Sequence, residues 1–426
     1  MADDELTPRP VVQVRLADAG DLFLTWRWTS GAQGYGTGQA PAAEVDRAVR
    51  ALADALPGGE AGVRRAFGAG ALAGYDGERA LARILAEALW PAGLTEQLRP
   101  VAAALGDQRP LVGIQPAPRV AQVPWELLAV GGADEPDVRL LDLADVVTTA
   151  PASLRRPHDG APRPAGDGGA VVLVLDPRVP GFRADSALGS VLGRPGSDPA
   201  LLALVQRHLD TGRAVPPVAD AAQAFRRTDL DRDWLGGALR QGAARLMYVG
   251  HVSAAPVGGG QSEDATLHLC CDPRTTGLTE VLRTHRPLSA KDLLLGTLSA
   301  RADGVAGARL WPAPRRVALI ACESGGDLRF AESFGLAAAM LHNGADLITA
   351  TRWALPTNLA FHQLADVAPS VRPLSEAVVA VDAAHEHPDP VRRLASWQRE
   401  QLDRWRTDRR VEHSPLLWAA LSCLVL

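Results

Sequence analysis

Three short runs set most of what this 426-residue chain can fold into. AVVLVLD (170–176), ARLMYVG (244–250) and RRVALIA (315–321) are apolar at nearly every position. A strand with one face in water alternates polar and apolar residues, because successive side chains point to opposite faces. Runs without that alternation suit strands covered on both sides, as in parallel sheets with helices above and below. Helix-like segments fall between and after them, at 200–209, 219–227, 231–241 and 331–342. A strand at ADLITA (345–350) and helices near 357–367, 374–384 and 389–406 continue the alternation. The run PLLWAALSCLVL (415–426) suits a further buried strand. The expectation is an α/β fold with a mostly parallel central sheet and helices on both faces.

Ahead of these runs the pattern is more mixed. VVQVRL (11–16) and DLFLTWRW (21–28), joined by ADAG, predict a hairpin. Val45, Val49, Leu52 and Leu56 recur at helical spacing over 42–56, and LPGGEAG then ends that helix. ERALARILAEALW (78–90) predicts another helix, and PLVGIQ (110–115) a short strand. PWELL (124–128) reads as a helix opening with Pro in its first turn, and 138–148 as strand. RRPHDGAPRPAGDGG (155–169) is a Pro- and Gly-rich loop. No repeat of 20–50 residues is present, so a solenoid is not expected. The organisation expected is a small α+β extension over 1–74, with a hairpin and a helix, and one large domain over 75–426.

Composition narrows the function classes. A formal net charge of -5, with no Lys/Arg-rich run, gives no reason to expect a nucleic-acid partner. MADDELTPRP has neither a basic nor an apolar stretch, and no run of 18 apolar residues occurs; neither a secretory leader nor a membrane span is expected. Four cysteines, 270, 271, 322 and 423, are too few for a disulfide framework and form no metal-ligand spacing. The expectation is a cytoplasmic protein with reduced thiols.

The chemistry sits where two of the apolar runs end. ARLMYVG leads directly into His251, and RRVALIA directly into Cys322. In parallel sheets functional side chains collect just past the carboxyl ends of the strands. A thiol nucleophile and an imidazole base need that kind of support: two rigid strands delivering both groups to one crevice. The base takes the thiol proton and later protonates the leaving amine. ESGGDLRF after Cys322 is polar and contains Gly325 and Gly326, so the loop can turn amides, the Cys322 N–H among them, toward a developing oxyanion.

YVGHVS around His251 and ALIACESGG around Cys322 resemble the CHAT family of caspase-like proteins. PWELL (124–128), VVLVLDPRVPG (171–181), PLSAKDLL (287–294), FGLAAAMLHNGADLITATRW (334–353) and SPLLWAALSCLVL (414–426) extend the likeness in order over roughly 75–426. The resemblance implies the caspase–hemoglobinase α/β/α sandwich and cysteine-peptidase chemistry with no metal and no organic cofactor, with His251 as base and Cys322 as nucleophile. It also implies a dedicated protein substrate in a bacterial regulatory or defence system, and the long loop segments at 155–169 and 253–264 beside the proposed site lead one to expect a latent state relieved by a protein activator. Two positions depart from the family pattern. Val252 follows the histidine where Gly is usual, although its N–H remains an oxyanion donor, and Ser324 replaces Thr. Val252 also motivates a second expectation, a catalytically silent adaptor that binds protein partners. An acyl-transferase or esterase shares the same dyad.

Other residues stay open between two roles. Asp176, at the end of AVVLVLD, either lines a pocket selecting Arg or Lys before the scissile bond or forms a turn before Pro177. Trp353 either walls the peptide site or packs in the core. Glu263 and Asp264 either line the pocket mouth or solvate a loop. Cys270 and Cys271 in LHLCCD read as packing thiols. His268, His285, His342 and His362 show no metal spacing, and the glycines at 258–260 lack the context of a phosphate loop.

Overall fold

The computed structural model describes residues 9–132, 134–135, 137–154, 168–255, 261–297, 304–330 and 335–426. Fourteen strands occur among them. In chain order they are β1 (Val11–Ala19), β2 (Asp21–Ser30), β3 (Tyr35–Ala40), β4 (Leu111–Gln115) and β5 (Asp145–Thr149). β6 (Val171–Leu175), β7 (Ala214–Val215), β8 (Arg245–Val249), β9 (Val252–Ser253) and β10 (Thr266–Leu267) follow. β11 (Leu288–Ser289), β12 (Arg316–Ile320), β13 (Leu347–Thr351) and β14 (Leu421–Val425) complete the set.

Eleven strands form one sheet in the order β3-β2-β1-β4-β5-β14-β13-β12-β8-β6-β7. Seven of its ten neighbouring pairs are parallel, so the sheet is mostly parallel as the sequence implies. The parallel strands fall into two blocks that meet head to tail at β13 and β14, an antiparallel pair running from Leu347↔Val425 to Thr351↔Leu421. β9, β10 and β11 make a separate three-stranded sheet beside the carboxyl end of β8.

Burial on both faces follows from the apolar runs. Every residue of β6 and of β8 is buried. Val171, Leu173, Leu175, Met247, Val249, Ala318 and Ile320 face one core. The helices Pro199–Asp210, Pro373–Glu386 and Pro390–Asp408 cover it with Leu201, Val205, Val378, Val381 and Leu402. Val172, Val174, Leu246, Tyr248, Val317 and Leu319 face the other, beneath the helices Arg232–Arg240, Ala290–Leu295 and Leu336–His342. Each such aliphatic side chain contributes about 1.5–3 kcal/mol of burial. This is a three-layer α/β/α arrangement. Among the described residues no helix is long and apolar enough to cross a membrane.

The expected hairpin forms as β1 and β2, and β1 also pairs in parallel with β4, from Val11↔Leu111 to Arg15↔Gln115. The first residues thus continue the central sheet, and the helix Ala42–Ala55 sets Val45, Ala48 and Leu52 in the first core. β3 was not legible as a strand because YGTGQA carries two glycines. Gly36 is required there, since a side chain would collide with the Trp26 ring that lies across it.

Four expectations shift. LPGGEAG ends the first helix, but a second one, Gly59–Gly68, starts inside it. PWELL makes only a 3-10 turn, Trp125–Leu127, because Trp125 and Glu126 are drawn into the interior and the chain leaves through Leu128 in extended geometry. Within 138–148 a helical turn, Leu140–Leu143, precedes β5; the Asp142 carboxylate accepts the Arg139 N–H and starts it. The helix expected over 219–227 is reduced to the 3-10 turn Ala221–Ala224, capped by Asp220. The loop over 155–169 falls outside the described residues up to 167, as do the glycines at 258–260 and the start of the 331–342 helix.

Candidate active site

β8 and β12 are neighbours in parallel register, ending at Val249↔Ile320. The Gly250 N–H still donates to the Ile320 carbonyl (3.3 Å), continuing the pairing past the last strand residue. Two residues beyond each end stand His251 and Cys322, so the register carries them out at the same height on adjacent strands. Both are half-buried, and Cys322 is the only one of the four cysteines that is not fully buried.

The turn after Cys322 is fastened to the end of β13. The Ser324 hydroxyl donates to the Leu319 carbonyl (2.6 Å) and accepts the Thr351 N–H (3.0 Å). The Thr351 hydroxyl donates to the Ala321 carbonyl, and the Gly325 N–H to the Thr351 carbonyl (3.0 Å). The Glu323 N–H donates to the Trp353 carbonyl (3.3 Å). A hydroxyl at 324 does both jobs, donating to one strand and accepting from the other. Glu323 is held at φ 51, a left-handed conformation that side chains rarely adopt, and its carboxylate pairs with Arg329 (2.9 Å).

The histidine is fixed as firmly. Its Nε2 lies 3.0 Å from the Gly189 carbonyl. A carbonyl only accepts, so Nε2 carries the hydrogen and Nδ1 of the neutral ring keeps its lone pair. The His251 carbonyl accepts the Tyr248 hydroxyl (2.7 Å) and the His268 N–H (3.1 Å). Val252 opens β9 opposite Leu267 and is buried in the second core, so a strand holds the backbone after the histidine. Beneath it a hydrogen-bond chain runs in one direction. His285 Nδ1–H donates to the Cys271 carbonyl (3.1 Å), His268 Nδ1–H to His285 Nε2 (2.9 Å), and the Ser253 hydroxyl to His268 Nε2 (2.8 Å). Burial pushes His268 down to about 3, so this chain is neutral.

The resting electrostatics keep both site groups uncharged. Burial pushes His251 down; the Gly189 bond and the Asp176 charge oppose that, and the Arg226 charge adds to it. Burial pushes the Cys322 thiol up, the Leu355 backbone hydrogen bond pulls it down, and the Glu323 charge pushes it up again. Both shifts favour the uncharged forms, thiol and neutral imidazole, in the resting pair. A cavity of about 10 Å³ separates Ala254 and Ala255 from Glu323, Arg329 and Phe330. It holds about one water molecule.

Two candidate substrate contacts are turned inward. Asp176 is 0% exposed at the end of β6, and its carboxylate accepts from Ser190, Val191, Leu192 and Arg226. It serves the loop that carries Gly189 and has no oxygen facing an open pocket. Trp353 is 1% exposed, with its indole N–H on the Leu416 carbonyl (2.9 Å). Its ring packs in the core, and its contribution to the site is the backbone carbonyl that holds Glu323. Glu263 and Asp264 lie in the 3-10 turn Ser262–Asp264. Cys270 and Cys271 are buried, and burial pushes Cys270 up to about 11. Sequence reasoning missed Gly189, Ser190, Arg226 and Thr351. The glycines of SALGSVLG are the only signal there, and a backbone carbonyl acceptor has no side-chain signature.

His208, Asp382 and Glu386 could geometrically hold a metal ion. Arg245 bonds both carboxylates, Arg207 pairs with Asp382 and Arg213 with Glu386, so the negative charge is already matched. Burial pushes Asp382 up, but His208 and Arg245 outweigh it and hold the carboxyl well below the usual range. The cluster is an ion-pair network between β8 and the helices on the first face.

The sheet, its helical layers and the Cys and His at adjacent strand ends define a caspase-like α/β protein. The CHAT domain model matches residues 79–425, and the chain belongs to the CHAT-domain family. Among solved structures it is similar to the complex of Porphyromonas gingivalis RgpB pro- and mature domains, at 8% identity and a TM-score of 0.41, over 80% of this chain and 70% of that one. A comparison with proteins of curated function gives no match.

Proposed function

We propose that this protein is a cysteine endopeptidase in which His251 and Cys322 cleave a dedicated protein partner of a bacterial regulatory or defence system. The observation that supports it best is the tautomer of His251. With Nε2–H committed to Gly189, Nδ1 is the free base on the strand beside the thiol. In the reaction Nδ1 takes the Sγ proton as sulfur bonds to the scissile carbonyl carbon. The oxyanion is received by the N–H groups of Cys322 and Val252. The imidazolium then gives its proton to the departing amine, and a water deprotonated by the same nitrogen hydrolyses the thioester. Four free cysteines suit a reducing cytoplasm.

This state is latent. The thiol is neutral, Glu323 opposes its ionisation, and the adjoining cavity is too narrow for a substrate side chain. A protein activator that draws Glu323 and Arg329 aside would lower the thiol's pKa and open the cleft together. The test is a cleavage screen against proteins encoded beside this one, with Cys322→Ala and His251→Ala as controls. Both variants are expected to fold and to lose all cleavage. Iodoacetamide should alkylate Cys322 well before Cys270, Cys271 and Cys423, whose burial shields them. Cleavage by Cys322→Ala overturns the assignment, and equal labelling of all four thiols favours the silent adaptor.

A further inference from the structure

The carbonyl that orients His251 is not free backbone; two side chains from other segments hold it. Arg226 Nη1 donates to the Gly189 carbonyl (3.0 Å), sharing that oxygen with His251 Nε2. The same nitrogen donates to Asp176 Oδ1 (3.2 Å). Asp176 in turn binds the three residues that follow Gly189. Its Oδ1 accepts the Val191 N–H (3.1 Å), and its Oδ2 accepts the Ser190 hydroxyl (2.5 Å) and the Leu192 N–H (3.5 Å). Gly189 itself admits no side chain, because a Cβ there would collide with the Ala184 carbonyl.

We propose that Asp176 and Arg226 are positioning residues for His251, clamping the Gly189 carbonyl onto Nε2 so that Nδ1 stays available as the base. The inference rests on the peptidase reading for its consequence, though its geometry stands apart from it. Both residues occupy left-handed backbone, Asp176 at φ 50 and Arg226 at φ 54. Such conformations are strained for residues that carry a side chain and persist only where the surroundings hold them. Here the Asp176 N–H is held by the carbonyl of Val249, two residues before His251 (2.6 Å), and the Arg226 N–H by that of Leu175 (3.2 Å). The clamp is therefore built on the same strand ends as the dyad. Asp176 is 0% exposed, and a buried ion pair is a poor source of stability compared with an apolar replacement. What this pair supplies is the fixed direction of one carbonyl.

The two charges act on His251 in opposite senses: Asp176 raises its pKa and Arg226 lowers it. The other titratable groups around the ring are Tyr248 and His268 beneath its backbone and the Cys322 thiol on the neighbouring strand, and none of them changes in the test variants. The experiment uses the full chain labelled with 15N-histidine. Two-bond 15N–1H correlation spectra report the tautomer and the titration of His251, with His251→Gln giving the assignment. In the wild type the Nε2–H form should dominate. In Asp176→Asn the midpoint should fall, in Arg226→Gln it should rise, and in both the Nδ1–H form should gain population. Arg226→Lys keeps the charge and should restore the midpoint while leaving the tautomer mixed. If a cleavable substrate is in hand, kcat should fall on the order of 100-fold in the first two variants with KM little changed. An unchanged tautomer in folded variants, or midpoints that move the same way, overturns the clamp. Should Asp176→Asn fail to fold, the partly exposed Arg226 carries the test alone. An inactive wild type with the expected spectra refutes the peptidase and leaves the clamp standing.

Discussion

Arg352→Met tests how the two halves of the sheet support the turn that follows Cys322. Arg352 follows β13 directly, and its guanidinium meets Glu126 of the PWELL turn at 2.9 Å, with side-chain exposures of 4% and 3%. It also donates to the carbonyls of Ala419 (2.9 Å) and Leu421 (3.4 Å), at the start of β14. Replacing it with an apolar chain of similar length leaves the Glu126 carboxylate buried without its cation. One oxygen of that carboxylate already lacks a partner. Breaking a buried pair by removing one member costs about 3–5 kcal/mol, and the orphaned carbonyls add to that range. The expected loss is about 4 kcal/mol at pH 7. Urea unfolding followed by tryptophan fluorescence reports this region, since Trp125, Trp353 and Trp418 are all buried there. Glu126→Gln in the Arg352→Met background removes the stranded charge and should recover about half of the loss. The Trp353 carbonyl, one residue on, anchors Glu323, so Cys322 should also be alkylated faster than in the wild type. A loss under about 1 kcal/mol, or a double variant no better than the single one, refutes the reasoning.

Two further outcomes follow from buried groups. Burial holds His385 down to about 3, against 6.5 in an unfolded chain. The unfolded state therefore binds its proton first, and stability present above pH 6.5 is lost as pH falls toward 3, by about 1.4 kcal/mol per pH unit. His385→Met should flatten the stability–pH slope between pH 6 and 4 by about that amount, read from urea midpoints; an unchanged slope counts against it. Ser324→Ala strips the Leu319 carbonyl and the Thr351 N–H of their shared partner in a site 1% exposed. It should cost about 2 kcal/mol and loosen the Cys322 turn, seen as faster amide exchange at Gly325, whereas unchanged exchange would show the turn to be held by other bonds.

How much of this was legible depends on what kind of group carries the information. β6, β8 and β12 announced themselves because burial on both faces removes polar residues from the run. His251 and Cys322 stood out because each follows such a run directly. The partners that set their chemistry did not. Gly189 acts through a carbonyl, which every residue possesses, and Arg226 looks like any of the arginines that stud the surface. Asp176 was visible as a strand-end carboxylate, but only the fold shows it turned inward onto residues 190–192. PWELL misled for a similar reason: its Glu126 answers to Arg352, a partner 226 residues away, and local propensity yields to that contact.

The place of β14 has a bearing on how the chain assembles during synthesis. The strand lies between β5 and β13, joining a block made from early residues to one that holds His251 and Cys322, and it comes from residues 421–425. Until those residues emerge from the ribosome, β5 and β13 both expose an unpaired inner edge, which is a template for pairing with other chains. A nascent chain stopped short of residue 421 cannot close the central sheet, and its β13 end, on which the Cys322 turn is fastened, stays unsupported on one side. Assembly of the site is thereby tied to completion of the sheet, and truncated products should aggregate rather than accumulate in a folded form.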